Sequence, residues 1–220
     1  MHDFSSAAAE QDGSSKNDFL DAILRERPDL RHELAYFPGQ GRRAHTVFIG
    51  DEVFKTPKEW YGFNFDEEYA TLQRLEGQGL PVPEVTCVGK EFVFYGMTRL
   101  PGVQMLSVYQ PLTPDQRRVI AADIADFIVG MAAALPMRDG CYARHADLHM
   151  GNILLDPRTK MLSGIVDFGE IEYRAKSYLG LTSNHGFNKI IAMEYALRED
   201  RLPDTPAANK PAKGPRAAWP

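Results

Sequence analysis

The chain has 220 residues, 44% of them hydrophobic, and a formal net charge of −5 from 25 Lys and Arg against 30 Asp and Glu. That length buries a core without staples, and the two cysteines, Cys87 and Cys141, are too few and too far apart for a disulfide framework or a cysteine-rich zinc site. The acidic balance argues against a dedicated nucleic-acid binder, no apolar run approaches the roughly 18 residues that span a bilayer, and the first residues lack the basic start and apolar stretch of a secretory leader, so the expectation is a soluble protein of a reducing cytosol.

Residues 1–16 are rich in Ser, Ala and Asp and read as a disordered arm, with the composition of a bacterial secretion signal as its functional alternative. A short helix is expected from about Asp18, with Phe19, Ile23 and Leu24 on one face and Pro28 interrupting it. After a turn-rich stretch around Gly39 and Gly41, residues 46–55 predict a hairpin turned at Gly50-Asp51. Residues 65–78 carry Phe65, Tyr69, Leu72 and Leu75 at helical spacing, and residues 80–89 and 91–100 read as two strands around a turn at Gly89-Lys90. Thr113 is a good N-cap, with Pro114 at the first position of a long helix over 114–134. A loop-and-hairpin region with a turn at Pro157-Arg158 follows, then a helix over about 186–200. The Pro-rich tail 203–220 reads as disordered.

The chemistry concentrates in His145-Ala-Asp147-Leu-His149-Met-Gly-Asn152 and the later Ile165-Val-Asp167-Phe-Gly-Glu170. Asp147 and Asn152 share one short loop, and Asp167 ends a β-like run. An Asn amide oxygen and an Asp carboxylate can share a hard cation such as Mg²⁺, which takes few protein oxygens and completes its shell with phosphate and water. A further carboxylate nearby stays available to accept a proton. That set serves phosphoryl transfer.

These motifs resemble the catalytic pattern of the protein-kinase superfamily, H-x-D-x-x-x-x-N followed by D-F-G. His149 is what draws the loop toward the aminoglycoside and choline kinase branch. The resemblance implies an α+β, minimal bilobal fold: an N-lobe over residues 17–100 with a small nucleotide-gripping sheet, and a reduced helical C-lobe over 101–202. It implies ATP and Mg²⁺ as cofactors. Asp147 orients the acceptor hydroxyl and takes its proton, while Asn152 and Asp167 hold the metal. Lys55 grips the α- and β-phosphates with an acid of the 65–78 helix as partner: Glu68 fits the register, with Glu67 as runner-up. Gly39 and Gly41 belong to the phosphate-covering loop, where the third glycine of the protein-kinase pattern is missing and Arg42 or Arg43 stands near. Residues 97–102, with Arg99, resemble the linker that binds adenine. His145 braces the loop; His149 approaches either the phosphates or only the loop backbone.

Residues 168–220 are all that follow Asp167, which leaves no room for the acidic substrate pocket of the aminoglycoside enzymes. Size, layout and the Ser/Ala-rich start resemble the HopBF family of type III effector kinases. That resemblance implies a monomeric kinase injected into the host cytoplasm that phosphorylates a serine of a host protein, the ninety-kilodalton heat-shock chaperone. Ser177, Tyr178, Thr182 and Ser183, after the D-F-G, then lie beside the active site. The alternative is a small-molecule hydroxyl kinase of the aminoglycoside or choline kinase type, working in the bacterial cytoplasm.

Overall fold

A computed structural model describes residues 16–38, 44–57, 65–89, 93–179 and 187–202. Gly39, Gly41, Arg42, Arg43, Lys90, Thr182, Ser183, the first fifteen residues and the tail expected from 203 lie outside them.

The N-terminal half is an antiparallel sheet of five strands in the order β1-β2-β3-β5-β4, with β1 at Ala35–Tyr36, β2 at Ala44–Ile49, β3 at Glu52–Pro57, β4 at Val85–Val88 and β5 at Tyr95–Thr98. The hairpin expected at Gly50-Asp51 forms there: Ile49 pairs with Glu52 and Gly50 takes a positive φ of 57°, which glycine adopts without a Cβ penalty. Alternation along β2 and β3 sorts the side chains between two faces. Val47, Ile49 and Phe54 turn outward, where helix α1 (residues 16–26) lays Phe19, Ala22 and Ile23 over them, with Phe94 closing the cluster. Pro28 ends α1 as expected and opens a short 3-10 turn, Pro28–His32. Arg27, beside that turn, reaches Glu52 on β3 at 2.9 Å. Val53 and Lys55 turn to the opposite, cleft-facing side, together with Ala44, Thr46 and Phe48.

Helix α2 runs Phe65–Leu75 rather than to residue 78, because Gly77 and Gly79 take left-handed φ values of 71° and end it. The chain passes from β5 through a linker to β6 (Val103–Gln104) and the single-turn helix α3 (Met105–Val108). Gly102 has φ +124°, and a Cβ there would stand 2.8 Å from the Leu155 carbonyl and 2.3 Å from Ser163 Oγ, so the linker lies flush on the strands below it. Ser163 Oγ donates to the Pro101 carbonyl at 2.8 Å.

Helix α4, Pro114–Ala134, starts on Thr113 with a full capping box to Gln116 and matches the expected bounds. Its Ile120, Ile124, Phe127 and Met131 form the centre of the main core. Two small sheets pack beside it: β7 (Tyr142–His145) with β10 (Ile171–Arg174), and β6 with β8 (Ile153–Leu155) and β9 (Leu162–Ile165). Helix α5, Asn188–Ala196, is shorter than the expected 186–200 and lies along α4, where Asp126 accepts from Arg198 at 2.8 Å and Arg201 at 2.6 Å. This is the bilobal α+β arrangement expected from the sequence. Among the described residues no helix is long and apolar enough to cross a membrane.

Candidate active site

Between the two halves lies a cleft of about 580 Å³, with Ala44, Phe48 and Val53 above and Leu154 and Val166 below. Lys55, Asp147, Asn152, Asp167 and Glu170 line one end of it. The apolar slab with charge gathered at one end suits a flat base with a phosphate tail.

The loop below the cleft begins where β7 ends, at His145. This ring is buried beneath the chain and bonded on both sides. Its Nδ1 accepts the Asp147 N–H at 3.2 Å, so the proton sits on Nε2, which donates to the Val166 carbonyl at 3.0 Å. Burial holds its pKa below the ordinary histidine value and keeps it neutral, as that pattern requires. Leu148 drops into the main core and anchors the loop. Asn152 closes it: its Nδ2 donates to the Asp147 carbonyl at 2.9 Å and its N–H to the His149 carbonyl at 2.9 Å. The Asn152 carbonyl accepts from Val166 N–H at 3.0 Å, tying the loop to the strand that delivers Asp167.

His149 bonds the loop backbone. Its Nδ1 accepts the Gly151 N–H at 2.9 Å, and its Nε2 faces the Asp147 carboxylate at 3.6 Å. Gly151 allows this, because a Cβ there would come within 2.7 Å of the ring.

Asp167 sits in the left-handed region at φ 69°, which a non-glycine residue adopts at some cost. The next residue, Phe168, is fully buried against Phe127 and 4.9 Å from the His145 ring. Driving Phe168 into the core while the backbone reverses leaves the Asp167 side chain half exposed in the cleft.

Above, Lys55 Nζ lies 2.8 Å from Glu68 Oε1 and 2.9 Å from Asp167 Oδ1. Burial opposes the ammonium charge, but the two carboxylates outweigh it and raise the lysine pKa above its usual value. The sequence reading favoured Glu68 over Glu67 as the partner; the structure pairs Glu68 with Lys55 and places Glu67 3.6 Å from Arg138. Tyr95, which the sequence reading missed, stands directly across from Lys55 on β5. Burial, then the adjacent Glu68 charge, holds its phenol protonated and its pKa well up. An aromatic in that strand was visible; its register against Lys55 was not.

Arg99 lines the mouth of the cleft, its guanidinium 5.0 Å above the Phe48 ring. The Thr98 and Arg99 amides already donate to the Glu84 and Asp51 carbonyls at 2.8 Å each, so a nucleobase at this linker would meet its carbonyls and the amides from Leu100 onward. Gly39 and Gly41 lie outside the described residues. Ser177 and Tyr178 are exposed on the segment after β10, where Arg144 Nη1 donates to the Tyr178 carbonyl at 3.1 Å.

Residues 35–144, half of the chain, match a family described as the phosphotransferase enzyme family. The chain belongs to that family. The match ends one residue before His145, so in this family member the loop and the Asp167 segment stand on the geometry above. No curated protein sequence matches the chain. The fold is similar to the GDP complex of wild-type aminoglycoside 2'-phosphotransferase-IIIa, at 17% identity and TM-score 0.67 over 82% of this chain and 83% of that one. It is also similar to the streptomycin–ATP ternary complex of APH(2'')-IIa, at 13% identity and TM-score 0.62 over 80% and 83%. ADP-bound aminoglycoside phosphotransferase APH(2'')-Ib gives 14% identity and TM-score 0.62 over 82% and 83%. At these identities the likeness establishes the fold of this phosphotransferase-family chain. The matches lend no support to the HopBF effector family, a protein acceptor or a chaperone target.

Proposed function

We propose that this chain transfers the γ-phosphoryl group of ATP to a hydroxyl of a small molecule. The observation that carries this is the convergence of Asp147, Asn152, Asp167 and the Lys55–Glu68 pair on one cleft. Lys55, held rigid by Glu68, binds the phosphates without reorganising. Asp147 orients the acceptor hydroxyl and takes its proton. The metal position fits its residues: an Asn amide and a half-exposed Asp carboxylate are hard oxygen donors on adjacent, mutually bonded segments. A Mg²⁺ held by Asn152 and Asp167 would supply neutralisation of phosphate charge.

The small-molecule acceptor rests on family membership and on the neighbours, two of which are enzymes named for aminoglycosides and one of which carries streptomycin. The carboxylates of Asp147 and Glu170 that line the cleft favour an acceptor that also carries amines. The test is incubation with γ-labelled ATP and a panel of amino-bearing alcohols, with aminoglycosides and choline included, beside a eukaryotic lysate. Label in a small molecule, lost in Asp167→Ala, is expected. Label confined to a polypeptide would replace this acceptor with a protein one. Thermal stabilisation by MgATP without any transfer would make the chain a nucleotide-binding module.

A further inference from the structure

Helix α2 carries two adjacent carboxylates that serve opposite halves of the molecule. Glu68 turns into the cleft to Lys55, and Glu67 turns toward the guanidinium of Arg138. The C-terminal half of α2 is seated by Leu72 and Leu75 in the main core. In the preceding turn Tyr69 packs against Tyr95 at 6.1 Å, and the contacts of Glu67 and Glu68 add to what orients it.

Arg138 is itself well placed. Its N–H and C=O bond across to Cys141 at 3.0 and 2.8 Å, closing a tight turn in which Asp139 and Gly140 take φ values of 49° and 74°. That turn feeds directly into β7 and so into His145 and Asp147. The guanidinium lies 4.3 Å over the ring of Tyr173 on β10, the strand that follows the Asp167 segment, where Tyr173 pairs with Ala143 of β7. Arg138 therefore touches the helix that carries Glu68 and the strand beyond Asp167, and its own turn leads into the catalytic loop.

We infer that Arg138 is a positioning residue: through Glu67 and Tyr173 it straps α2 to the lower half of the molecule and sets the direction in which Glu68 meets Lys55. It touches no reacting atom. The inference rests on the phosphotransferase reading for its effect on nucleotide, and on geometry alone for its effect on α2.

The test measures MgATP affinity by calorimetry for the full chain and for Arg138→Ala and Arg138→Lys, each with Glu68 intact and with Glu68→Gln. An exposed ion pair with a ring contact has a modest effect, so Arg138→Ala is expected to weaken MgATP by about threefold to tenfold, and Arg138→Lys to recover most of it. With Glu68→Gln already present, Arg138→Ala should change affinity by less than about 1.5-fold, because the two act through one contact. Equal weakening in both backgrounds, or none in either, overturns the strap. Hydrogen exchange of the nucleotide-free chain is the second measurement: faster exchange over residues 67–72 in Arg138→Ala is expected, and unchanged exchange there overturns the inference even if the wild type binds no MgATP. Absence of MgATP binding by the wild type would instead overturn the phosphotransferase reading.

Discussion

Residues 145–152 below the cleft and Lys55 above it are held by different forces. The lower loop keeps its shape through uncharged hydrogen bonds between His145, Asn152 and neighbouring backbone, over the apolar floor of Leu148 and Phe168. Lys55 is fixed by two carboxylates in a nearly dry site, its side chain 10% exposed and that of Glu68 only 1%. Neutral bonds on an apolar floor leave the Asp147 carboxylate out of the scaffold. Paired charges make the roof depend on each partner's presence. A residue whose side chain is not part of the scaffold should therefore affect rate, and a residue in the charged set should affect stability as well.

Asp147→Asn gives the largest separation. Only its backbone bonds secure the loop, so transfer should fall by about 10²–10⁴-fold while the thermal midpoint moves by no more than about 2 °C. A large loss of stability in this variant would erase the contrast between loop and roof. Lys55→Met should do the opposite and leave Glu68 buried without a counter-charge, costing about 3–5 kcal/mol in denaturant unfolding. Lys55→Met combined with Glu68→Leu should recover much of that, and failure to recover would mean that Lys55 stabilises through packing instead. Phe168→Ala removes the ring between Phe127 and His145 and should cost about 3 kcal/mol by the same measurement, with the loop losing its floor.

The smallest effect is pH dependence. The folded chain holds His145 neutral, with its pKa below the value it has when unfolded, so below that ordinary value the unfolded chain binds more protons. Stability contributed by the neutral ring is full well above the ordinary histidine value of about 6.5 and declines as pH falls through it, with a limiting slope of about 1.4 kcal/mol per pH unit. His145→Asn should flatten that part of the curve, and an unchanged slope would place the titration elsewhere.

Much of the site was legible because it is local. Asp147 and Asn152 share one loop, and Asp167 follows a strand whose apolar run is visible. The Gly50-Asp51 turn and the Thr113 cap announce themselves by residue type. What escaped is set by register and phase. Neighbouring helix residues point about 100° apart, so the register that favoured Glu68 for Lys55 left the partner of Glu67, Arg138, unseen. Tyr95 gained its place from strand pairing, and Arg138 from a two-residue turn between segments that the sequence reading left unassigned. The end of α2 at Leu75 came out shorter than periodicity suggested because apolar spacing does not register where glycine φ values end a turn, and α5 stops at Ala196 where the chain tightens into a 3-10 turn at Glu199–Arg201.

Gly102 bears on how substrates enter. With no room for a Cβ between Gly102 and the Leu155 carbonyl, and with Pro101 tied to Ser163, the lower part of the connector is held to the floor. Any gaping of the jaws has to bend the chain upstream at Leu100, because the Thr98 and Arg99 amides are tied to Glu84 and Asp51 of the upper half. Admission of nucleotide and swivelling of the upper jaw would then be governed by the same short stretch of backbone.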